Sequence, residues 1–204
     1  MLTKIDRQDS ITKFPMLPLR QYNPKEDEFV SLYPKTFTGY VLTLPSKSFK
    51  GQVNLLSSQI KHLAMHLKVD KLIFLGDSDI PWRKQNHDFK QAKEALQYLE
   101  DNKVGKKFNG ALQVDTSGLP TFVKHLAWLV RTNAILPYVY FIDPKQNIIG
   151  TICQYGNLHI WTVNRLADKL LKEAISETLF EYLTENCYNK FSKSSAIKGR
   201  QITI

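Results

Sequence analysis

The chain has 204 residues, of which 43% are hydrophobic and 23% are charged, and its formal net charge is +9. This length and composition suffice for one hydrophobic core, which argues against a disordered chain. No apolar run approaches the ~18 residues of a membrane span, and the N-terminus lacks the apolar stretch of a signal peptide. The two cysteines, Cys153 and Cys187, lie far apart and match no disulfide or metal-ligand spacing, so we expect a cytoplasmic protein in a reducing compartment.

The N-terminal residues 1–36 combine four prolines with several large apolar side chains. Prolines at this density disfavour a long helix, so we predict an extended lead-in that packs along the domain. Residues 37–188 are predicted to form a single α/β domain, and residues 189–204 a basic tail.

Strand and helix patterns alternate over residues 37–132. The runs 37–44, 71–76 and 110–115 predict strands, and the middle one is a continuous apolar run that suits a strand buried on both faces. Apolar residues at three- and four-residue steps predict a helix after each strand. The inward positions of these helices are Val53, Leu56, Ile60, Leu63 and Leu67, then Phe89, Ala92, Leu96 and Leu99, then Phe122, Leu126, Leu129 and Val130. This alternation favours parallel crossovers with helices on both faces of a sheet.

The segment 136–162 holds the densest β-branched and aromatic runs, interrupted by two turn sequences. The spacing predicts a three-strand antiparallel meander over 138–142, 148–153 and 158–162, with its first strand central in the sheet. A long closing helix is predicted with Leu166, Leu170, Ala174, Leu179 and Leu183 along it. The predicted fold is therefore a three-layer α/β/α domain with a mixed sheet, in the order β-α-β-α-β-α-β-β-β-α.

The order of elements from Leu72 onward, with Leu136-Pro137 ahead of the last two strands, is similar to the thioredoxin-like arrangement. In that family a cis proline precedes the hairpin. The resemblance covers connectivity only, because residues 76–82 lack the paired cysteines that the family places after its strand. Disulfide exchange needs two thiols within reach of each other, so we expect this redox chemistry to be missing.

A polar string, Gly76-Asp77-Ser78-Asp79, follows the apolar run 71–76, and ligands of open α/β sheets bind beyond such strand ends. The string resembles the first block of the GDSL or SGNH hydrolases, which implies Ser78 as the nucleophile. The Asp77/Asp79 pair also resembles the Asp-x-Asp of haloacid dehalogenases, which implies magnesium binding or phosphoryl transfer. A simple turn, in which Ser78 or Asp79 caps the next segment, explains the same residues.

Two further groups of residues suggest a binding site. Cys153, Asn157 and His159 flank the second turn of the meander, where a thiol opposite an imidazole is the minimum for a Cys–His nucleophile. The alternative is a buried, packed cysteine.

The other group lies on the helix 119–132, where His125, Trp128 and Arg131 follow each other at three-residue steps and share a stripe. Such a stripe can stack on a base or clamp a carboxylate, or it can pack as core with the arginine at its rim. His62 and His66 have metal-ligand spacing without a third ligand, so we predict neither a metal site nor a cofactor.

We therefore expect a non-catalytic domain that binds a protein partner through its meander and the polar ends of its central strands, without a membrane. One alternative is a hydrolase that uses Ser78 or the Asp77/Asp79 pair. Another is a nucleic-acid-associated protein, because the net charge is +9 and the tail carries no acid. The basic tail residues concerned are Lys190, Lys193, Lys198 and Arg200.

Overall fold

A computed structural model describes residues 1–78, 80–132, 136, 138–183 and 187–191 of the chain. The strands are β1 (Leu2–Ile5), β2 (Leu19–Asn23), β3 (Glu28–Leu32), β4 (Thr38–Thr43), β5 (Lys71–Gly76), β6 (Ala111–Asp115), β7 (Val139–Ile142), β8 (Ile148–Ile152), β9 (Leu158–Thr162) and β10 (Glu181–Tyr182). The helices are α1 (Arg7–Lys13), α2 (Phe49–His66), α3 (Lys90–Asp101), α4 (Leu119–Thr132) and α5 (Arg165–Ser176). From β4 to α5 the elements follow the predicted order. Pro137, the proline of the thioredoxin-like resemblance, lies outside the described residues.

Eight of these strands form one sheet in the order β1-β6-β5-β7-β8-β9-β4-β10, and β2 and β3 form a separate hairpin. The predicted meander is confirmed, since β7, β8 and β9 are antiparallel neighbours that pair Phe141 with Gly150 and Thr151 with His159. As predicted, β7 lies in the interior of the sheet, and all four of its residues are buried.

The prediction of parallel crossovers in a mixed sheet is wrong for the described strands, because every neighbouring pair in the large sheet is antiparallel. In β-α-β units, the loops that join each strand to the helix are usually about two to six residues long. Here the segments 77–89 and 102–110 flank α3. These connections are longer than those of a regular β-α-β unit, and β6 runs antiparallel to β5.

Helices α2, α3, α4 and α5 all contribute to the hydrophobic cluster on one face of the sheet. Alternate strand residues, such as Leu72 and Phe74 of β5, point to this face. The inward positions predicted for α2 and α4 are confirmed, because apart from the partly buried Leu67 they are all buried. In the described part of the chain, none of the helices is both long enough and apolar enough to cross a membrane.

The opposite face of the sheet is covered by the N-terminal segment rather than by a second layer of long helices. Phe14 and Leu17 pack there against Ile73, Leu75 and the neighbouring strands. The segment predicted as an extended lead-in also contains the short helix α1 and the strand β1, which pairs with β6 at the sheet edge. Residues 1–36 are therefore built into the sheet as well as packed on it.

The closing helix is shorter than predicted and presents a different face to the sheet. It ends at Ser176, and its buried side includes Ala167, Leu171 and Ile175. Leu166 and Leu170 are 67% and 47% exposed. Of the residues that indicated this helix, Ala174 is therefore buried, whereas Leu166 and Leu170 face outward.

We predict that Phe141→Ala lowers the free energy of unfolding by about 3–5 kcal/mol, because it removes a buried ring and leaves a cavity. Phe141 is 2% exposed and packs against Phe74 with ring centroids 5.4 Å apart. Chemical denaturation measures the loss. The matched control is Lys145→Ala at the exposed turn beyond β7, which we expect to change stability by under about 0.5 kcal/mol. Equal effects of the two substitutions would contradict the central position of β7.

A second prediction concerns Gly150, which pairs with Phe141 across the strands. A Cβ at this position would lie 2.2 Å from Cζ of the Phe141 ring. We expect Gly150→Ala to destabilise the fold by about 1–3 kcal/mol through overpacking, whereas Gly105→Ala meets nothing within 4 Å and should be nearly neutral. In the Phe141→Ala background the cost of Gly150→Ala should fall, because the clash is removed. An unchanged cost in that double-mutant cycle would show that the ring is not the obstacle.

Candidate functional site

The polar string after β5 anchors the N-terminal segment. The buried carboxylate of Asp77 accepts a hydrogen bond from Arg20 Nη1 at 3.1 Å. The Arg20 guanidinium lies between the rings of Phe29 and Tyr138, 4.3 and 4.2 Å from their centroids. The hydroxyl of Ser78 donates to the Arg20 carbonyl at 3.4 Å. These contacts give Asp77 and Ser78 a structural role, and their catalytic role stays a prediction; Asp79 lies outside the described residues.

The predicted stripe on α4 divides into two environments. The His125 ring stacks on Tyr98 of α3 with centroids 4.5 Å apart, and burial, followed by the nearby Lys124, lowers the pKa of His125. Trp128 packs edge-on against Phe49 of α2, with ring centroids 5.0 Å apart, and its ring also lies 5.7 Å from that of Phe89, the N-cap of α3. His125 and Trp128 therefore both lie on the side of α4 near α3, and Trp128 also reaches α2.

Arg131 connects α4 to the turn between β8 and β9. Its guanidinium lies 4.6 Å from the centroid of the Phe49 ring, and its Nη1 donates to the carbonyl of Gln154 at 2.9 Å. Gln154 follows Cys153 directly in the chain. The structure thus brings the predicted Arg131 to the same turn as the predicted Cys153, Asn157 and His159, while Asp77 and Ser78 serve a different contact.

The turn between β8 and β9 places three polar side chains on one side of the sheet. The Cys153 N–H donates to the Asn157 carbonyl at 3.0 Å, and Gly156 adopts a positive φ of 77° that closes the turn. His159 lies on β9 directly opposite Thr151. Because strand side chains alternate between faces, Thr151, Cys153 and His159 share the face opposite the long helices.

Cys187 forms a cluster with Cys153, Asn157 and His159. Its Sγ lies 3.5 Å from Cys153 Sγ, 3.3 Å from His159 Nε2 and 3.3 Å from Asn157 Nδ2. Both cysteines are free thiols. From their spacing, the two cysteines were predicted to match no disulfide or metal-ligand arrangement. This prediction is wrong, because the fold brings together two cysteines that are 34 positions apart in the chain.

The strand β10 explains how Cys187 arrives there. It pairs with β4, and the next residue, Leu183, donates from its N–H to the Val41 carbonyl at 2.8 Å. Val41 is the register partner of His159 on β9. Beyond Cys187, the Tyr188 carbonyl accepts a hydrogen bond from Asn157 Nδ2 at 3.5 Å, which holds the segment 187–191 against the turn.

The pKa values of the two thiols are shifted in opposite directions. The hydrogen bond from Cys153, followed by those from His159 and Asn157, lowers the pKa of Cys187 to about 5, although burial opposes this. Burial, and then the hydrogen bond to Cys187, raises the pKa of Cys153. Cys153, the deeper sulfur, is therefore the thiol of the pair that holds its proton more strongly.

The tautomer of His159 is linked to the state of Cys187. When Cys187 is a thiolate, it only accepts hydrogen bonds, so Nε2 of His159 then carries the proton that it shares with the sulfur. The other ring nitrogen, Nδ1, is buried and has no hydrogen-bond partner among the residues that the structure describes. A bare acceptor at Nδ1 is therefore the arrangement that leaves no buried N–H unpaired.

The same atoms can be tested as a metal site. The ligand atoms of Cys153, His159 and Cys187 all lie within 4.8 Å of one another. Typical zinc bond lengths place two sulfurs of a tetrahedral site about 3.8 Å apart, close to the 3.5 Å found here. However, a zinc-bound histidine almost always donates its second N–H to a carboxylate, carbonyl or water. Three donors can hold a metal here, but no described residue accepts a hydrogen bond from Nδ1 of His159.

The nucleic-acid alternative involves one described residue of the tail. Lys190 donates from Nζ to the Leu44 carbonyl, and burial lowers the pKa of this lysine. Lys193, Lys198 and Arg200 lie outside the described residues. Lys190 therefore has a backbone partner, and the prediction of a nucleic-acid-binding tail stays open.

Sequence reasoning misses Cys187 because Leu179 and Leu183 continue the apolar spacing of the closing helix. In the structure this segment holds the short strand β10, which returns the chain to the sheet. The one available signal is composition, since the chain has two cysteines and the other one already belongs to the predicted Cys–His site.

Comparisons with known proteins add no function to this geometry. No protein-family model matches the sequence, and no curated protein or solved structure shows significant similarity to the chain.

Proposed function

We propose that the protein is a thiol redox protein in which Cys187 is the reactive thiolate and Cys153 is the resolving thiol. The observation that carries this proposal is the convergence of three donors on one sulfur, one of them a second thiol 3.5 Å away. Reactive cysteines have a lowered pKa and some exposure, whereas buried ones stay protonated. Cys187 is partly buried with its pKa lowered to about 5, and the buried Cys153 has a raised pKa.

The chemistry is a two-electron couple. An oxidant first forms a bond with the Cys187 sulfur and takes an electron pair from it. The Cys153 sulfur then attacks Cys187 Sγ, displaces the group bound there and forms the disulfide. The proton of Cys153 leaves with the displaced group. A disulfide needs an S–S distance of about 2.05 Å, so the two sulfurs must approach by about 1.5 Å.

His159 and Asn157 position the thiolate and stabilise its charge. Hydrogen bonds to a charged group contribute about 1.5–3 kcal/mol each. Stabilising the thiolate stabilises the reduced form, which makes a dithiol pair more oxidising. The proposal is compatible with a reducing compartment, in which the resting state of the pair is the dithiol.

The sequence-based expectation of a non-catalytic, protein-binding domain remains a prediction, as do the hydrolase and nucleic-acid alternatives. The proposed redox couple uses the predicted Cys153–His159 site, but its nucleophile is Cys187 rather than Cys153.

We predict that Cys187 reacts with iodoacetamide with a midpoint near pH 5, because the thiolate is the reactive form and forms above the lowered pKa. Cys153 should stay unmodified at pH 7. Pulse alkylation between pH 4 and pH 10, followed by peptide mass spectrometry, measures both rates. The matched variants are Cys153→Ser, which keeps a hydroxyl donor, and Cys153→Ala, which removes the donor. The midpoint should lie higher in the alanine variant than in the serine variant, and a midpoint near 9 in the wild-type protein would contradict the proposal.

We also predict that Cys153 and Cys187 form a reversible disulfide in glutathione or dithiothreitol redox buffers. Its midpoint potential should fall between about −270 and −120 mV, the range of redox-active pairs. Intact mass after acid quenching and alkylation gives the oxidised fraction.

Asn157→Ala removes one donor to the thiolate and should lower this midpoint potential, whereas Ser78→Ala, at the other polar cluster, should leave it unchanged. A midpoint below about −300 mV would indicate a structural disulfide, and no disulfide at any potential would refute the couple.

A further inference from the structure

The described side chains that contact the Cys187 sulfur are buried. Cys153, Asn157 and His159 are only 7%, 3% and 3% exposed, and Cys187 itself is partly buried. Attack on a disulfide requires three sulfurs in line, so the carbons attached to both substrate sulfurs must fit close to the site. Attack on a peroxide requires space for two oxygens only.

The donors around the sulfur suit a reaction in which negative charge moves to oxygen. Asn157 Nδ2 and His159 Nε2 lie 3.3 Å from Cys187 Sγ, and both donate to the sulfur when it is a thiolate. An oxygen that approaches this sulfur comes within reach of the same donors. Donors fixed before the reaction stabilise charge that develops in the transition state without reorganisation.

On the basis of the proposed redox couple, we infer that the oxidant of the Cys153–Cys187 pair is a small hydroperoxide, which the protein reduces to an alcohol or to water.

The reaction proceeds in two balanced steps. The Cys187 thiolate attacks the terminal oxygen of ROOH, an S–O bond forms and the O–O bond breaks. The leaving RO⁻ takes a proton from solvent, and Cys187 becomes a sulfenic acid. The Cys153 sulfur then attacks Cys187 Sγ, the S–O bond breaks and water leaves with the Cys153 proton. The net change is the oxidation of one dithiol to a disulfide and the two-electron reduction of one peroxide bond, and an external thiol reductant regenerates the dithiol.

The resolving thiol limits further oxidation of the sulfenic acid. Cys153 Sγ lies 3.5 Å from Cys187 Sγ before any oxidant arrives. A sulfenic acid with a thiol this close condenses to a disulfide, the reversible branch of cysteine oxidation.

The test compares two oxidants and one alkylating agent on the reduced 204-residue chain at pH 8. Hydrogen peroxide, oxidised glutathione and iodoacetamide are each mixed with the protein, and the loss of free Cys187 is followed by acid quenching and mass spectrometry. We expect hydrogen peroxide to react with Cys187 at least about tenfold faster than it reacts with the glutathione thiolate. One additional hydrogen bond in the transition state is enough for a difference of this size. Hydrogen peroxide should also react faster than oxidised glutathione. Cys153→Ser should accumulate a sulfenic acid that dimedone labels, and Cys187→Ser should consume no peroxide.

Asn157→Ala separates the role of the donors from the ionisation of the thiol. At pH 8 we expect the Cys187 thiolate to persist in this variant, so its alkylation by iodoacetamide should change little. Its reaction with peroxide should fall by about tenfold, the effect of one hydrogen bond to a charged group. Equal losses in both reactions would refute the role of the donor in peroxide reduction.

The outcomes distinguish the two proposals. If the disulfide forms in redox buffers but peroxide reacts no faster than with free glutathione thiolate, or more slowly than oxidised glutathione does, the hydroperoxide inference is wrong and the couple stands. If no Cys153–Cys187 disulfide forms with any oxidant, both proposals are wrong.

Discussion

The register between β8 and β9 is the constraint on which both the core and the candidate site depend. The pairing of Ile152 with Leu158 and of Thr151 with His159 sends apolar side chains to the long helices and polar ones to the other face. A slip by one residue would exchange the two faces of the strand. It would place His159 among the helices and Leu158 among the polar side chains of the opposite face. The packing of the core therefore fixes the position of the site without any contribution from the site itself.

Much of the fold was predictable from local patterns. The meander and the order of helices and strands follow from the two periodicities of apolar residues, which are properties of short segments. Strand direction was not predictable in this way. A continuous apolar run such as 71–76 indicates burial on both faces, and that burial is observed, but an antiparallel sheet covered on both sides produces the same pattern.

The candidate site was predicted in part, for a related reason. Cys153, Asn157 and His159 lie close together in sequence around a legible turn. Cys187 reaches them only because β10 pairs with β4 and β4 pairs with β9. Such a chain of pairings between distant segments leaves no trace in the spacing of residues. The polar residues after β5 show the opposite error. In the sequence, Asp77 and Ser78 resemble a catalytic site, but in the fold they contact Arg20 in the hairpin of β2 and β3.

The position of β4 has a consequence for how the protein is made. Thr38 and Thr162, at one end of the β4–β9 contact, are 124 residues apart. Sheets built from such distant pairings fold slowly, because the entropy of closing the loop is lost before the contacts form. On the ribosome β4 emerges before β9 is synthesised, so the backbone groups of β4 that pair with β9 have no sheet partner until then. Unpaired strand edges are prone to aggregate, so the synthesis of β9 is the step that protects this edge of β4.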